Sequence, residues 1–409
     1  MKPIGPIPPA FADQHDMLTI AGRTAEAWVA EHGSPVFVYD FGVVQGQIGR
    51  FRAAMPDGVR LHYAVKANPY APLVCAIAPL VDGLDVASTG ELAEVMAYKS
   101  AEAISFAGPG KRDAELEVAV RAGVTLNVES EGETRRAIVV GARLGIAPRL
   151  AVRVNPDLEL RGSGMKMGGR ASPFGVDAER VPALVREIVA SGAEWRGFHI
   201  FAGSQALDSD ALIETQEATL ALAARLSEES GQAPPLVNLG GGFGIPHFAG
   251  DRPIEVERIG AALAGTLDTR NAVLADTTFA IELGRWLVGE AGVYLTRVVD
   301  RKESRGETFL VVDGGLHHQL AASGNFGTVV RRNYPIAVAR RMDAAADDAV
   351  SVVGCLCTPL DRLADRVVLP RADVGDVIAI FIAGAYGLTA SPSAFLGHPA
   401  PAEVLANAS

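Results

Sequence analysis

LHYAVKANPY, residues 61–70, reads as a strand that stops on a lysine. Leu61, Tyr63 and Val65 alternate with His62 and Ala64, the two-residue period of a pleated strand. Lys66 sits where the run ends, and Pro69 blocks its continuation because proline has no amide hydrogen to give to a ladder. A lysine between apolar neighbours is expected to be desolvated, which lowers its pKa and leaves a neutral amine able to form an imine. The plainer reading is an ammonium that reaches back to water from a strand end.

Outward from this stretch, one unit repeats: a short β-rich run, a small polar or Gly-containing turn, then an amphipathic segment. The runs are LHYAVKAN (61–68), GLDVAS (83–88), ISFAGPG (104–110), TLNVES (125–130), RLAVRVN (149–155), WRGFHIFAGS (195–204), PLVNLGGG (235–242) and FAIELGR (279–285). GELAEVMAYKS and DAELEVAVRAG are typical of the segments between them. Strands that alternate with helices pair in parallel, and eight such units predict a closed (β/α)8 TIM-like barrel. An open doubly wound sheet would show about six strands with GxGxxG after the first, and the chain shows neither.

After Arg285 the rhythm changes. GVYLTRVVDRKE, ETFLVVDGG, AVSVVGCLC and VIAIFIAGAYG follow without long helices between them, which predicts a C-terminal antiparallel β domain. PVFVYD (35–40) has the same character and is expected to join it. The expected organisation is an N-terminal segment over 1–44 attached to the β domain, a barrel over 45–290 and the β domain over 291–409. DAAADDA (343–349) reads as a surface loop.

Composition narrows the classes of function. A chain of 409 residues, 49% hydrophobic, can bury a large core in two or three domains. A net charge of −11 argues against nucleic acid or an anionic membrane surface as the main partner. No apolar run approaches the roughly 20 residues that span a bilayer. The Pro-rich start, MKPIGPIPPAFADQHD, lacks the apolar core of a signal peptide. Cys75, Cys355 and Cys357 do not make a disulfide framework, and Cys355 and Cys357 are too close along one strand to bridge. The expectation is a reduced, cytoplasmic protein; no metal site is read from the sequence.

Barrel enzymes carry their chemistry at the C-terminal ends of the strands. Those ends present Lys66, Asp85 with Ser88, Lys111, Glu129, Arg153 with Asn155, His199 with Ser204, Gly240–Gly242, and Glu282 with Arg285. NLGGGFG (238–244) puts three glycines at the seventh strand end, where bare backbone can turn its N–H groups to a phosphate; a tight turn is the alternative. Glu282, in an apolar strand, can be a buried ion-pair partner of Arg285, or it can face a pyridine nitrogen and hold its proton. A lysine, a phosphate cradle and a buried carboxylate on one rim together suggest pyridoxal 5′-phosphate. In GCLCTPLD, Pro359 is expected to end a strand and leave Cys357 at its exit, with Cys355 deeper in the same strand. The alternative for both is a small buried hydrophobe.

YAVKANP, DVASTGEL, FHIFAGSQ, LGGGFG, ELGR, CTPLD and AGAYG occur in an order and spacing that resembles the alanine-racemase-like, fold-type III decarboxylases, over residues 35–400. The resemblance is greatest to the diaminopimelate decarboxylase branch and, within it, to pyridoxal-dependent decarboxylases of exosortase-type exopolysaccharide loci. It implies that Lys66 carries the cofactor and that Glu282 binds its ring nitrogen. By the same resemblance, Gly240, Gly241 and Gly242, with Ser204, Arg285 and Tyr386, would hold the phosphate. Asp85 and Arg153 would shape the pocket, and His199 would belong to the same cofactor-binding set. Cys357 would return a proton after CO₂ leaves, and Cys357 and Asp361 would come from the second subunit of a homodimer.

Three positions depart from that pattern. Phe201 stands where the family has a histidine stacked on the cofactor ring, so an aromatic face remains without an imidazole. Thr358 replaces the glutamate of CESGD, which helps select the distal end of diaminopimelate. No Arg-Pro-x-Leu-Tyr segment is recognisable around LAASGNFGTVVRR. The resemblance therefore implies an amino-acid α-decarboxylase whose substrate is not strictly meso-diaminopimelate. The alternatives are a decarboxylase of a carrier-tethered aminoacyl group and a catalytically inactive cofactor-binding regulator. A racemase is disfavoured, because its tyrosine acid/base and its arginine at the ring nitrogen have no match.

Overall fold

Eight parallel strands close on themselves in the computed structural model, which describes residues 1–157, 165–166, 171–324 and 332–407. They are β1 (Arg60–Ala64), β2 (Gly83–Val86), β3 (Ile104–Phe106), β4 (Thr125–Val128), β5 (Arg149–Asn155), β6 (Glu194–Ile200), β7 (Leu236–Asn238) and β8 (Thr278–Leu283). Each pairs with its sequence neighbour, and β8 pairs with β1, so the ring has no open edge. This is the (β/α)8 barrel that the alternation of runs predicts. Strands buried on both faces read as continuous apolar runs; Leu61, Tyr63, Leu84, Leu126, Leu150, Phe198 and Ile281 are all fully buried here.

Local sequence starts the helices as well. Ser88 Oγ accepts from Glu91 N at 3.1 Å and caps Thr89–Val95, while Glu91 Oε2 accepts from Ala87 N at 2.7 Å. Ser130 does the same for Glu131–Leu144. Satisfying amides at a helix start is worth about 1 kcal/mol per cap. Ser88, at first sight a rim residue, is thus a helix cap.

The register brings distant residues into rows. Arg153 on β5 pairs with His199 on β6, and His199 pairs with Asn238 on β7. Glu282 on β8 pairs with His62 on β1.

The chain divides into two compact units, one of residues 48–244 and 253–284, the other of residues 1–47, 245–252 and 285–409. The second unit is built on Gly292–Ser304, which pairs antiparallel with Val36–Asp40, Val377–Ile380 and Glu307–Val312. PVFVYD therefore joins this sheet, as its composition suggests. The unit is not wholly antiparallel: Glu307–Val312 runs parallel to Asp348–Val353, and Val36–Asp40 parallel to Ala402–Ala406. GCLC does not continue a strand, which corrects the reading of Cys357 as a strand exit. The strand stops at Val353, and the chain then folds over Asp361, whose Oδ2 accepts from Leu356 N at 2.8 Å. Much of the segment where Arg-Pro-x-Leu-Tyr would stand, 325–331, lies outside the described residues.

Candidate active site

β1 ends at Ala64, and Val65–Ala67 form one 3-10 turn that carries Lys66. Val65 and Ala67 are buried, but Lys66 is exposed. The expected desolvation of Lys66 by its neighbours is not what the fold provides. A turn sends successive side chains in different directions, so the apolar neighbours bury themselves without covering the lysine. Tyr63 Oη donates to the Asn68 carbonyl at 2.8 Å and fixes the turn.

Glu282 is the centre of the barrel's polar cluster, with a side chain only 8% exposed. Its Oε2 lies 3.1 Å from His199 Nε2 and accepts from Asn238 Nδ2 at 3.3 Å. Burial pushes the carboxyl up, yet the His199 contact and the charges of His199, Lys66 and Arg153 outweigh it and hold Glu282 far below the usual carboxylate range. Glu282 is therefore a buried anion. Its described partners stand on β6 and β7, whereas sequence proximity pointed to Arg285.

Asn238, which the sequence did not single out, joins this anion to the glycine turn. Its Oδ1 accepts from Gly240 N at 2.9 Å, and Glu282 N donates to the Gly240 carbonyl at 2.7 Å. Gly240 has φ +68°, and a Cβ there would stand 2.8 Å from Ile200 O and 2.9 Å from Phe201 Cδ2. A Cβ at Gly241 would overlap the Glu282 carbonyl oxygen. The Gly240 amide is thus committed to Asn238, and among the described residues the Gly241 and Gly242 amides have no partner. Phe201 and Ser204 are half-buried beyond the end of β6.

The remaining rim groups are engaged with one another. Asp85 Oδ2 lies 3.2 Å from His62 Nδ1, and its Oδ1 accepts from Ser105 Oγ. Burial and the charge of Glu282 push Asp85 up against the pull of His62. Arg153 Nη1 donates to Glu129 Oε1 at 2.8 Å, with its guanidinium 5.1 Å from the Phe174 ring centroid. Lys111 pairs with Glu133 at 2.6 Å where both side chains are buried, so this lysine holds the barrel wall. Asn155 Nδ2 donates to Asp177 at 2.8 Å.

In the second unit, Arg285 has the Tyr386 ring 4.7 Å from its guanidinium carbon and His247 Nε2 3.5 Å from Nη1. His247 Nδ1, 2.8 Å from the Ile245 carbonyl, can only donate there, so Nε2 is left as an acceptor for the arginine. Tyr386 takes a left-handed backbone conformation, φ +52°. Burial, then the charge of Arg285, push His247 down to about 4 from an ordinary 6.5. Between these values the folded protein binds fewer protons than the unfolded chain. The stability from His247 is therefore complete above pH 6.5 and is lost as pH falls towards 4. Such a shift corresponds to about 3 kcal/mol. Urea unfolding stepped through this window should show the loss, and His247→Gln should reduce it; a flat wild-type profile would contradict the arrangement.

Cys357 is exposed and Thr358 half-buried, in the turn after Val353. Asp361 is 3% exposed, and its two oxygens accept from Leu316 N at 2.7 Å and Leu356 N at 2.8 Å. The structure thus gives Asp361 a positioning role, in which one carboxylate holds two loops. Besides Asn238 and His62, the sequence reading missed His317, His318 and Gln319, which are buried in the first of those loops. The paired histidines of LHHQ were the available signal.

These residues fit pyridoxal 5′-phosphate on their own chemistry. Two unpartnered amides at a strand-end glycine turn suit a phosphate, and a buried anion suits a protonated ring nitrogen. Residues 42–289 match the family described as pyridoxal-dependent decarboxylase, pyridoxal binding domain. The L-glutamyl-[BtrI acyl-carrier protein] decarboxylase of Niallia circulans is 35% identical over 379 residues, covering 91% of this chain and 88% of its own. A diaminopimelate decarboxylase of Archaeoglobus fulgidus is 32% identical over 399 residues, 97% of this chain and 93% of its own. The crystal structure of diaminopimelate decarboxylase from Helicobacter pylori complexed with L-lysine matches with a TM-score of 0.82 at 26% identity, covering 94% of each chain. Among the described residues no helix is long and apolar enough to cross a membrane. With its barrel, its buried carboxylate and its glycine turn, the chain belongs to the pyridoxal-dependent decarboxylases, carboxy-lyases that use pyridoxal 5′-phosphate.

Proposed function

We propose that this chain decarboxylates the α-carbon of an amino acid whose distal end lacks the charge pattern of meso-diaminopimelate. The observation that carries the reading is the buried Glu282 anion, joined through Asn238 to the glycine turn. When bound, pyridoxal 5′-phosphate supplies an electron sink for the pair left as the Cα–carboxylate bond breaks. The Lys66 amine holds the cofactor. Glu282 keeps a proton at the ring nitrogen, and its contacts with His199 and Asn238 fix the carboxylate's direction. The Gly241 and Gly242 amides and Ser204 bind phosphate, and Arg285, braced by His247 and Tyr386, carries positive charge for the same group. Asp85 and Arg153 border the pocket, and Phe201 offers an aromatic face. Cys357 delivers the final proton, from the partner subunit of a homodimer, with Asp361 positioning its loop. All three cysteines are free, which supports a reducing compartment such as the cytoplasm, a placement that cell fractionation checks.

A carrier-tethered aminoacyl substrate is the second reading, favoured by two observations. Thr358 offers no charge to a distal ammonium, and the Niallia circulans relative is named for a glutamyl carrier-protein substrate. A site that pairs a charged distal group discriminates by about 10⁴ or more, because its own buried partners are otherwise left unpaired. CO₂ release from a panel of free L-, D- and meso-amino acids and carrier-bound aminoacyl donors decides between the readings. Meso-diaminopimelate is expected to be poor. A kcat/KM for it of about 10⁴ M⁻¹s⁻¹ or higher would return the chain to diaminopimelate decarboxylation.

A further inference from the structure

We propose that His317, Cys355 and His398 form a binding site for a zinc-type divalent cation in the β-strand unit. Each residue offers one ligand atom, and the three atoms lie within 4.8 Å of one another. Cys355 Sγ and His398 Nδ1 are 3.9 Å apart. Bonds of about 2.0 Å to nitrogen and 2.3 Å to sulfur place tetrahedral zinc ligands roughly 3.3–3.6 Å from each other, so a cation would close the set with about 1 Å of side-chain movement.

His317 points to a ligand most directly. Its side chain is fully buried, and among the described residues neither ring nitrogen has a hydrogen-bond partner. A buried imidazole with nothing to bond is rare in a folded protein. The adjacent His318, whose ring centroid is 3.7 Å away, is the contrast. Its Nε2 donates to the Pro399 carbonyl at 3.2 Å, and its Nδ1 accepts from Tyr294 Oη at 3.0 Å. One histidine of the pair is therefore fully satisfied, while its neighbour is left facing Cys355 and His398.

The three donors are also held in place from behind. Asp361 accepts from the amides of Leu316 and Leu356, the residues that adjoin His317 and Cys355. The His318 bond to Pro399 anchors the residue after His398. Such outer support keeps metal ligands oriented. Two imidazoles and a thiolate suit a borderline-soft cation, and three protein ligands leave a fourth position open to water. On binding, the Cys355 thiol gives its proton to solvent and its sulfur lone pair to the cation.

Equilibrium dialysis of the full-length holoenzyme against zinc should show one retained ion per chain. Cys355→Ser and His398→Ala, both at half-buried positions, should each weaken retention by about 100-fold or more, since loss of a ligand exceeds loss of its outer support. His317→Ala should do the same if it folds; the other two variants carry the test if it does not. Loading with cobalt should give a thiolate-to-cobalt charge-transfer band in difference spectra, absent in Cys355→Ser and retained in Cys357→Ser. No retained zinc in the wild type, or retention in Cys355→Ser and His398→Ala equal to that of the wild type, would overturn the site. A charge-transfer band that follows Cys357 instead of Cys355 would do so too.

Discussion

Lys66→Ala is expected to abolish the long-wavelength absorption of lysine-bound pyridoxal and, with it, turnover. The lysine is the exposed member of a turn whose neighbours are buried, so its removal takes no packing from the core. Folding should be kept, and near-wild-type thermal unfolding is the control. The expected loss of activity is complete within detection, because no other lysine lies on the β1 turn. An unchanged absorption band in the variant would remove Lys66 from the site. The same variant tests whether subunits share sites. Mixed with inactive Cys357→Ala, it should recover about a quarter of wild-type activity, since half of randomly formed dimers are mixed and each has one intact site. No recovery despite proven subunit exchange would place Cys357 in its own chain's site or outside catalysis.

Glu282→Gln is the second large effect. The amide keeps the size of the side chain and can still accept from Asn238, so it removes the charge and little else. On the proposed reading the anion is what would keep a proton at the ring nitrogen, and each 1.4 kcal/mol of lost carbanion stabilisation is about tenfold in rate. Turnover should fall by about three orders of magnitude or more while cofactor binding is largely kept. Glu282→Ala should lose as much rate and some stability as well. It leaves the Asn238 amide without its acceptor and His199 without its anion, at about 1–3 kcal/mol. Near-normal turnover in Glu282→Gln would reduce the carboxylate to a partner of His199.

The physical state of the site separates what is local from what is not. The Glu282 carboxylate is ionised because His199, 83 positions earlier in sequence, meets it across the barrel. Without that contact, burial would push the group the other way. Asn238 matters because its two amide atoms face different partners, one the carboxylate and the other the Gly240 amide. Neither relation is written in the NLGGGFG or IELGR motif by itself.

The sequence alone determined the eight strands, since alternating apolar runs and Gly-containing turns are set by a few adjacent residues and a parallel ring is how such units pair. It also determined the glycine turn after β7 and the membership of PVFVYD in the second sheet, whereas Ser88, read as a rim residue, became a helix cap only in the folded chain. Tertiary structure decided the rest. Lys66 is exposed because the strand gives way to a turn one residue before it, and no count of apolar neighbours shows this. GCLC leaves the sheet because the Asp361 carboxylate pulls in the Leu356 amide, a demand that outweighs the β-propensity of the run. His317 and Cys355 meet because that same carboxylate also draws in the loop of Leu316, and the His318 bond to the Pro399 carbonyl holds His398 beside them. Periodicity is legible in a sequence because it repeats every two or four residues; a contact across tens of residues depends on strand register and loop anchoring, which only the folded chain supplies.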